Sequence, residues 1–444
     1  MVNKINSVLK EVLVKIKPSK KEIQNIEKHI KDFTRKLDSN AKKLKINAES
    51  FVGGSFAKGT AIKKNYYDAD VFVRFDKKYK DNEISDLTEK ILRKFTKNIK
   101  KIHGSRDYFS IRINSKFFIE VIPVINIKNP KEARNVTDLS YSHVKYINKK
   151  AKGKMNDEIL LAKAFCHANK CYGAESYIKG FSGYSLELLI CYYKSFLNMI
   201  RVFAKDSITP QGCTPKNIQK NIFTRGKLII DIEKNYKNKN MIMMDVNNSK
   251  LKSPIILIDP TFKQRNAAAS LSEETFERFK EACRKFLKNP SEKAFEEQKK
   301  DFEKIKQNAL KNKNEFVLLE AKTEKQEGDI AGSKLMKFYN HLCEEISRSF
   351  DIKDKEFNYN NEKSAKYYLV VRKKKEIILQ GPMIIQKENV VKFKKAHRNT
   401  FVKHGRIYAK QKINFSLKQF IENWKKKNEK KIREMSVRGL KVVD

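Results

Sequence analysis

Two aspartates near residue 70 are the residues of this sequence best suited to do chemistry. Asp68 and Asp70 stand two positions apart at the start of an apolar run. Side chains at positions i and i+2 of a strand point to the same face of a sheet, so both carboxylates are predicted to project together. Two negative charges on one face repel each other unless a cation lies between them, and Mg²⁺ prefers carboxylate oxygens as ligands. The spacing therefore predicts a divalent metal site.

A turn containing Gly53, Gly54 and Ser55 comes shortly before the acid pair. Glycine allows a tight turn whose backbone N–H groups can face a phosphate, with the Ser55 hydroxyl as a further donor. Lys58 follows and can supply a positive charge. A phosphate-binding turn beside a metal site suits nucleotidyl transfer, because the attacking and leaving oxygens both gain negative charge and two Mg²⁺ ions can stabilise both.

One acid inside a second apolar run supplies a third candidate ligand. Glu120 lies within residues 117–124, which are otherwise apolar and typical of a buried strand. We expect this strand to neighbour the one that carries Asp68 and Asp70, so that three carboxylates form one catalytic metal site. Each of the three features also has an ordinary explanation. The glycines could form a plain turn, the acid pair could be a solvated strand end, and Glu120 could be an acid on an edge strand. The order of the pieces along the chain favours nucleotidyl transfer.

The elements that must position these residues follow from hydrophobic spacing. Ser19 and Glu22 have the spacing of a capping box, and apolar residues at helical intervals follow up to about residue 44. We expect this helix to pack behind a small mixed sheet and the catalytic domain to close near residue 140. The strands of that sheet are predicted near residues 50–53, 69–75, 108–113 and 117–125.

Helical patterns then resume and later give way to strands, which predicts an α+β multidomain protein. It would have a small mixed-sheet catalytic palm for nucleotidyl transfer as its head, a helical neck, an α+β body and a basic tail. The last part of the tail, residues 421–444, is expected to be loosely ordered until RNA binds, because basic residues dominate it. The expected domains are residues 1–140 for the catalytic head, 141–270 for the helical neck and nucleotide-binding domain, 271–385 for the body and 386–444 for the RNA-binding tail.

The charge of the chain indicates its kind of partner. Lys and Arg number 97 against 52 Asp and Glu, a formal charge of +45, which suits RNA or DNA; biased codon usage is an alternative source of part of the lysine excess. No stretch approaches the ~20 apolar residues of a membrane span and the N-terminus lacks a signal core, so we expect a soluble, cytoplasmic protein without a membrane partner. The six cysteines form no Cys-x-x-Cys pair, which argues against a zinc module or a disulfide framework.

The turn and paired acids resemble the motif of the nucleotidyltransferase superfamily. More specifically, residues 172–175, 180–190 and 259–268 resemble the archaeal class I CCA-adding tRNA nucleotidyltransferases, and this resemblance runs from about residue 20 to about residue 420. It implies template-independent addition of C, C and A to the 3′ end of immature or damaged tRNA. The substrates would be CTP and ATP, the cofactor two Mg²⁺ ions and the by-product pyrophosphate.

The resemblance also implies roles for single residues. Asp68, Asp70 and Glu120 would be the catalytic, metal-binding carboxylates, although the family usually has Asp where this chain has Glu120. Arg265 would read the incoming base, for which its rigid fork of donors is suited. The implied nucleotide-binding residues are Gly54, Ser55, Lys58, His143, Lys163, Tyr172 and Arg265, and the candidate RNA-binding residues are Lys394, Lys395, Arg398 and Arg406.

Two other hypotheses fit parts of the sequence. A poly(A) polymerase or an oligoadenylate synthetase-like nucleotidyltransferase would share the turn and the acids. A non-catalytic RNA-binding protein would require a lost carboxylate or a broken turn, and Glu120 is the weak position. The sequence leaves open a monomer or a homodimer.

Overall fold

The computed structural model describes residues 2–104, 106–205, 222–224, 227–298, 300–324, 326–359 and 363–443. The chain forms two compact units, Met1–Gln298 and Lys299–Asp444. Cys213 lies outside the described residues, and the five described cysteines are free and buried. Among the helices of the described ranges, none is both long enough and apolar enough to span a membrane.

The first unit begins with helices, continues with a five-stranded sheet and ends in a helical part that holds a second, smaller sheet. Its elements are α1 (Val2–Ile16), α2 (Lys20–Lys43), β1 (Ala48–Val52), α3 (Gly54–Ala57), β2 (Tyr67–Phe75), α4 (Asp81–Leu92), β3 (Ile99–Ile102), β4 (Tyr108–Asn114), β5 (Phe117–Ile125), α5 (Ser140–Lys150), α6 (Lys154–Ala168), α7 (Gly183–Tyr193), α8 (Phe196–Phe203), β6 (Ile222–Thr224), β7 (Lys227–Asp231), α9 (Lys239–Asp245), β8 (Ile255–Asp259), β9 (Phe262–Asn266) and α10 (Glu273–Lys288).

Helix α2 begins where the capping box predicts. The Glu22 backbone N–H donates to the Ser19 hydroxyl at 3.2 Å, and the Ser19 backbone N–H donates to the Glu22 carboxylate at 2.8 Å. These bonds satisfy two donors that a helix start otherwise leaves unpaired. The apolar face of the helix buries Ile26, Ile30 and Phe33 in the core beneath the sheet.

The five-stranded sheet has the strand order β1-β2-β5-β4-β3. Strands β2 and β5 are parallel and the other neighbours are antiparallel, so the predicted small mixed sheet is confirmed. Ala69, Val71 and Val73 of β2 point into the core that α2 and α4 share. The alternate residues of β2 face the other way, and Asp68 and Asp70 are among them. Strand β3 was not predicted, since two lysines fill its centre.

The helical part of the first unit surrounds a core rich in phenylalanine. Phe165 of α6 lies 5.3 Å from Phe196 of α8 and 5.9 Å from Phe279 of α10, measured between ring centroids. Strands β7 and β8 contribute to the same core and belong to a four-stranded sheet of order β6-β7-β8-β9. This packing fixes the far end of β8, where Asp259 is fully buried.

The second unit contains two antiparallel sheets. The first has the order β11-β12-β10-β16 and the second β13-β15-β14. Helix residues Phe338 and Leu342 pack on one face of the larger sheet. The elements of this unit are α11 (Phe302–Lys311), β10 (Glu315–Thr323), α12 (Gly328–Ser347), β11 (Phe350–Tyr359), β12 (Ser364–Lys373), β13 (Glu376–Met383), α13 (Lys387–Ala396), β14 (Thr400–Lys403), β15 (Arg406–Lys412), α14 (Leu417–Lys427), α15 (Glu429–Glu434) and β16 (Val437–Val442).

The end of the chain is folded, so the prediction of a loosely ordered segment over residues 421–444 is wrong for its described part. Strand β16 pairs with β10, and Trp424 of α14 is buried 6.3 Å from the ring of Phe338. Leu440 completes the same core. The buried positions were missed in the sequence because lysines occupy the exposed positions between them and dominate the composition of the segment. The expected boundary between body and tail, at residues 385 and 386, lies inside this second unit. Residues 271–298, which were expected in the body, belong to the first unit.

Candidate active site

The two aspartates of β2 lie on the face of the five-stranded sheet opposite the core that α2 and α4 share. Asp68 is half-exposed, with its Oδ1 3.5 Å from Nζ of Lys64. Asp70 is partly exposed to solvent. Its loss of hydration within the surrounding protein, and then the charge of Asp68, raise its pKa to about 6. Both causes disfavour the ionised form of Asp70. The pair therefore forms a site that a cation would stabilise.

Strand register places Glu120 next to this pair. Glu120 of β5 is the direct Cα partner of Asp70 on the parallel neighbour β2. Partners in a parallel pair point to the same face, so Glu120 lies on the face of the two aspartates, as predicted. Within the described ranges, no three His, Cys, Asp or Glu side chains are grouped closely enough to hold a metal ion. Glu120 is placed by its register, and its role as a ligand stays a prediction.

The glycine turn presses directly against Asp70. The backbone N–H of Gly53 donates to the Asp70 carbonyl oxygen at 2.8 Å. Gly54 has φ +60°, and a Cβ added there would lie 1.7 Å from Oδ2 of Asp70. Only glycine fits this position, because it tolerates a positive φ and leaves room for the carboxylate. Ser55 follows in the short helix α3, and its carbonyl oxygen accepts the Thr60 N–H at 2.9 Å.

Two lysines of the predicted nucleotide-binding set converge on one buried carboxylate. Glu187 of α7 accepts from Nζ of Lys58 at 2.7 Å and from Nζ of Lys163 at 2.8 Å. The Thr60 hydroxyl donates to the same carboxylate at 3.0 Å. Burial alone would raise the pKa of Glu187, but the two lysines lower it to about 2. The carboxylate thus joins the segment after the glycine turn to α6 and α7.

Tyr172 lies beside this lysine cluster. A Cβ added at Gly183 would lie 2.8 Å from the Tyr172 hydroxyl and 3.8 Å from Nζ of Lys163. Burial, and then the charges of Glu187, Asp68 and Asp70, raise the pKa of Tyr172. The Tyr172 ring stacks on His167 with a centroid distance of 3.9 Å. The predicted residues Lys163 and Tyr172 are therefore brought together near the acid pair.

The remaining two predicted nucleotide-binding residues meet at a second buried carboxylate. Oδ2 of Asp259 lies 3.0 Å from Nε2 of His143 and 2.7 Å from NH1 of Arg265. Oδ1 of Asp259 accepts from the Tyr184 hydroxyl at 3.0 Å and from the Thr261 hydroxyl at 2.8 Å. Burial alone would raise the pKa of Asp259, but the hydrogen bond from His143 and the charge of Arg265 hold it well below its usual range.

Sequence reasoning did not assign roles to Glu187 and Asp259, although a signal was present for each. Glu187 is the one acid inside the apolar run 186–190, and Asp259 ends the apolar run 255–258. The same feature had singled out Glu120. A single acid in an apolar run predicts a buried carboxylate with partners, but it does not say which residues those partners are.

The candidate RNA-binding residues are placed in the second unit. Lys394 and Lys395 lie on α13 and Arg398 follows it, and all three are exposed. Arg406 differs, since it is half-buried and its NH1 donates to the carbonyl oxygen of Gly381 at 3.1 Å. Three of the four are thus available to a polyanion, while Arg406 also supports the strand β13.

Two family models match the chain in adjoining segments. Residues 3–152 match the Second Messenger Oligonucleotide or Dinucleotide Synthetase domain, and residues 157–296 match the second domain of tRNA nucleotidyltransferase.

Several archaeal proteins named CCA-adding enzyme are similar to this chain. The protein of Nanoarchaeum equitans is 36% identical over 51% of this chain and 52% of its own length. That of Methanocaldococcus jannaschii is 28% identical over 91% of this chain and 87% of its own length. A protein of Thermoplasma acidophilum is 31% identical over 44% of this chain and 86% of its own length. The chain thus spans about half the length of the first of these relatives and most of the other two.

Among solved structures, that of a cytoplasmic RNA terminal U-transferase matches 67% of this chain and 100% of that chain. The identity is 14% and the TM-score is 0.49, a likeness too weak to bear on function.

A mixed sheet that presents paired aspartates against a Gly-Ser turn, followed by a helical domain, defines a nucleotidyltransferase. The multidomain α+β fold predicted from the sequence is confirmed. The chain belongs to the family of CCA-adding enzymes.

Proposed function

We propose that this protein adds C, C and A in turn to the 3′ end of tRNA, from CTP and ATP and with release of pyrophosphate. The observation that carries the proposal is the packing of the Gly54 turn against Asp70, with Asp68 on the same face and Glu120 in register beside it. Similarity to the CCA-adding enzymes supports the choice of substrate.

Magnesium fits the donor set of the acid pair. Carboxylates are its preferred protein ligands, and a divalent cation would offset both causes of the raised pKa of Asp70, namely its loss of hydration and then the charge of Asp68. Asp68, Asp70 and Glu120 would hold the ions, which supply charge stabilisation to the attacking and leaving oxygens when bound. Glu120 reaches one methylene further than Asp and can still present its oxygens on the same face.

The segment after the turn would hold the triphosphate. The backbone N–H groups near Gly54 and the Ser55 hydroxyl are donors suited to phosphate oxygens. An ammonium group has three N–H donors, and Glu187 takes one from Lys58. Lys58 can therefore bind phosphate while Glu187 holds it in place.

Lys163 would act on the triphosphate through its charge. Its ammonium group donates to the Thr60 carbonyl at 3.2 Å, to the Thr60 hydroxyl at 2.8 Å and to Glu187 at 2.8 Å. These three acceptors match its three donors. A buried cation held in this way strengthens the positive field behind the turn without giving up its own hydrogen bonds.

A tRNA substrate agrees with the charge of the chain. A formal charge of +45 provides salt-dependent attraction to phosphates, and Lys394, Lys395 and Arg398 lie exposed in the second unit. An arginine such as Arg265 can donate two parallel N–H groups to the edge of a base. We assign base selection to Arg265 and RNA attraction to the exposed basic residues.

The test uses purified protein and tRNAs that end one, two or three nucleotides short, with Mg²⁺ and each NTP singly and mixed. Stepwise addition of C, C and A that then stops is expected on a sequencing gel. Asp70→Asn and Glu120→Gln should each abolish addition while tRNA binding persists, and Glu27→Gln, an exposed change on α2, should have no effect.

Other outcomes would replace the proposal. Sustained addition of A alone would identify a poly(A) polymerase. Tight tRNA binding by the unaltered protein without any addition would identify a non-catalytic RNA-binding protein. Near-normal turnover by Glu120→Gln would remove Glu120 from the metal site.

A further inference from the structure

Asp259 is a buried carboxylate to which the proposed reaction assigns no direct part, and its two oxygens bind different partners. Oδ1 accepts from Tyr184, from the Thr261 hydroxyl and from the Thr261 N–H at 2.9 Å. Oδ2 accepts from His143 and Arg265. The first set fixes the carboxylate to its own loop and to α7, so the second set is presented at a fixed position.

His143 and Arg265 come from distant parts of the chain, and Asp259 brings them together. His143 lies on α5 and Arg265 on β9, yet both bind the same oxygen. The His143 ring is also stacked on Tyr184, with a centroid distance of 3.9 Å. The side chain of Arg265 stays about a quarter exposed, while that of His143 is nearly buried. One end of the cluster is therefore anchored and the other end is open to a ligand.

The carboxylate also decides which ring nitrogen of His143 carries a proton. A carboxylate can only accept, so Nε2 is the donor and, in the neutral ring, Nδ1 is an acceptor. Burial lowers the pKa of His143, with Asp259 opposing it only in part, so the ring is neutral at pH 7. The cluster thus offers guanidinium donors from Arg265 and one acceptor from His143.

We propose that Asp259 is a positioning residue that sets nucleotide specificity by fixing the direction of the Arg265 guanidinium and the tautomer of His143. This inference rests on the proposed function, in which Arg265 reads the base. A guanidinium that is held by one N–H keeps the others aimed in one plane. The acceptor Nδ1 of His143 is suited to a donor of the nucleotide, either a ribose hydroxyl or an exocyclic amino group.

The decisive variant is Asp259→Asn. The amide oxygen can keep the bonds to Tyr184 and Thr261, while the amide N–H₂ replaces Oδ2 and faces the donors of His143 and Arg265. Asp245→Asn is the matched control, since Asp245 accepts from Gln264, the neighbour of Arg265, at 2.8 Å and from Tyr236. The readouts are kcat and KM for CTP, UTP, ATP and GTP on tRNAs lacking the terminal nucleotides.

Asp259→Asn is expected to lower the preference for CTP over UTP and for ATP over GTP at least tenfold and to raise KM for CTP, with Asp245→Asn unchanged. A purely structural role would lower the amount of active enzyme and leave the preferences and KM as they were, which would overturn the inference. If the unaltered protein adds no C or A, the proposed function fails and the inference fails with it.

Two further measurements keep the inference testable if Asp259→Asn does not fold. The first distinguishes whether the ribose hydroxyl or the exocyclic amino group of the nucleotide donates to Nδ1 of His143. Discrimination against 2′-deoxy-CTP that is lost in His143→Phe would identify the ribose hydroxyl as the partner, whereas a lost preference for CTP over UTP would identify the amino group. Loss of neither would overturn the role of His143. In the unaltered protein, ¹⁵N spectra of labelled histidine should show His143 as the Nε2–H tautomer, and an Nδ1–H tautomer would overturn the inference.

Discussion

Glu187 and Lys163 form an ion pair in which Oε1 lies 2.8 Å from Nζ and both side chains are buried. The second oxygen of Glu187 binds Lys58, so one carboxylate balances two ammonium groups. Buried charges lose their hydration and depend on their partners for stability. The segment after the glycine turn is therefore held by an interaction that fails if its acid is removed.

The change Glu187→Gln should destabilise the protein by about 3–5 kcal/mol, because removing one partner of a buried pair leaves the other charge uncompensated. Urea unfolding followed by far-UV circular dichroism measures the change. The control is Glu281→Gln, which removes an exposed pair with Lys285 on α10 and should cost less than about 1 kcal/mol. Equal losses in the two variants would contradict the prediction.

The change Gly54→Ala should abolish nucleotide addition. The new Cβ would lie 1.7 Å from Oδ2 of Asp70 and force the carboxylate or the turn to move. Gly153→Ala provides a control for the positive φ, since Gly153 has φ +56° and nothing within 4 Å of its added Cβ. Both changes place alanine at a positive φ, which disfavours any residue that carries a Cβ. Gly153→Ala should keep its activity, and matching losses of activity would show that strain alone is responsible.

Stability should fall as the pH is lowered from about 6.5 to about 4, and His167 should be one cause. Burial, and then the charges of Lys64 and Lys163, lower the pKa of His167 to about 4, whereas the pKa of an unfolded histidine is about 6.5. In this window the unfolded chain binds more protons than the folded protein, so acid favours unfolding, by at most about 3 kcal/mol for this group. Above pH 6.5 the stabilisation is fully present.

The variant His167→Phe keeps a ring that can stack on Tyr172 but cannot take up a proton. Its free energy of unfolding should change less between pH 7 and pH 5 than that of the unaltered protein. The measurement is urea unfolding at the two pH values. An unchanged difference between the two pH values would exclude His167 as the cause.

The change Leu440→Ala should destabilise the second unit by about 2–5 kcal/mol, because Leu440 of β16 is buried in its core. Trp424 is the only tryptophan and lies in the same core, so its fluorescence reports the transition. Lys441→Ala changes the adjacent exposed residue and should shift stability by less than about 0.5 kcal/mol. Similar midpoints for the two variants would mean that β16 adds little to the sheet.

Replacing Lys394, Lys395 and Arg398 with glutamine should reduce the salt dependence of tRNA binding. Each lost phosphate contact lowers the slope of log K against log salt by about 0.7–0.9, so three contacts account for about 2–3. Filter binding over a range of KCl concentrations measures the slope. The same change at Lys425, Lys426 and Lys427, exposed residues of α14, removes equal charge. An equal reduction in both triple variants would indicate attraction by net charge rather than by a site on α13.

The sequence by itself determined the elements whose signals are local. The capping box of Ser19 and Glu22 set the start of α2, and the alternation around Asp68 and Asp70 set both the strand and the face of the acids. These features depend on residues within one or two turns of each other, where backbone geometry alone dictates which side chains share a face. The glycine turn and the predicted order of strands belong to the same class.

Only the tertiary structure decided which distant residues meet. The register that pairs Asp70 with Glu120, the convergence of Lys58 and Lys163 on Glu187, and the meeting of His143 and Arg265 at Asp259 all join residues from separate elements. Trp424 and β16 likewise gain their place from a sheet that begins more than a hundred residues earlier. A buried charged side chain is stable only where the fold places all of its hydrogen-bond and ion-pair partners around it. The packing of the whole unit, rather than any one segment, sets those positions.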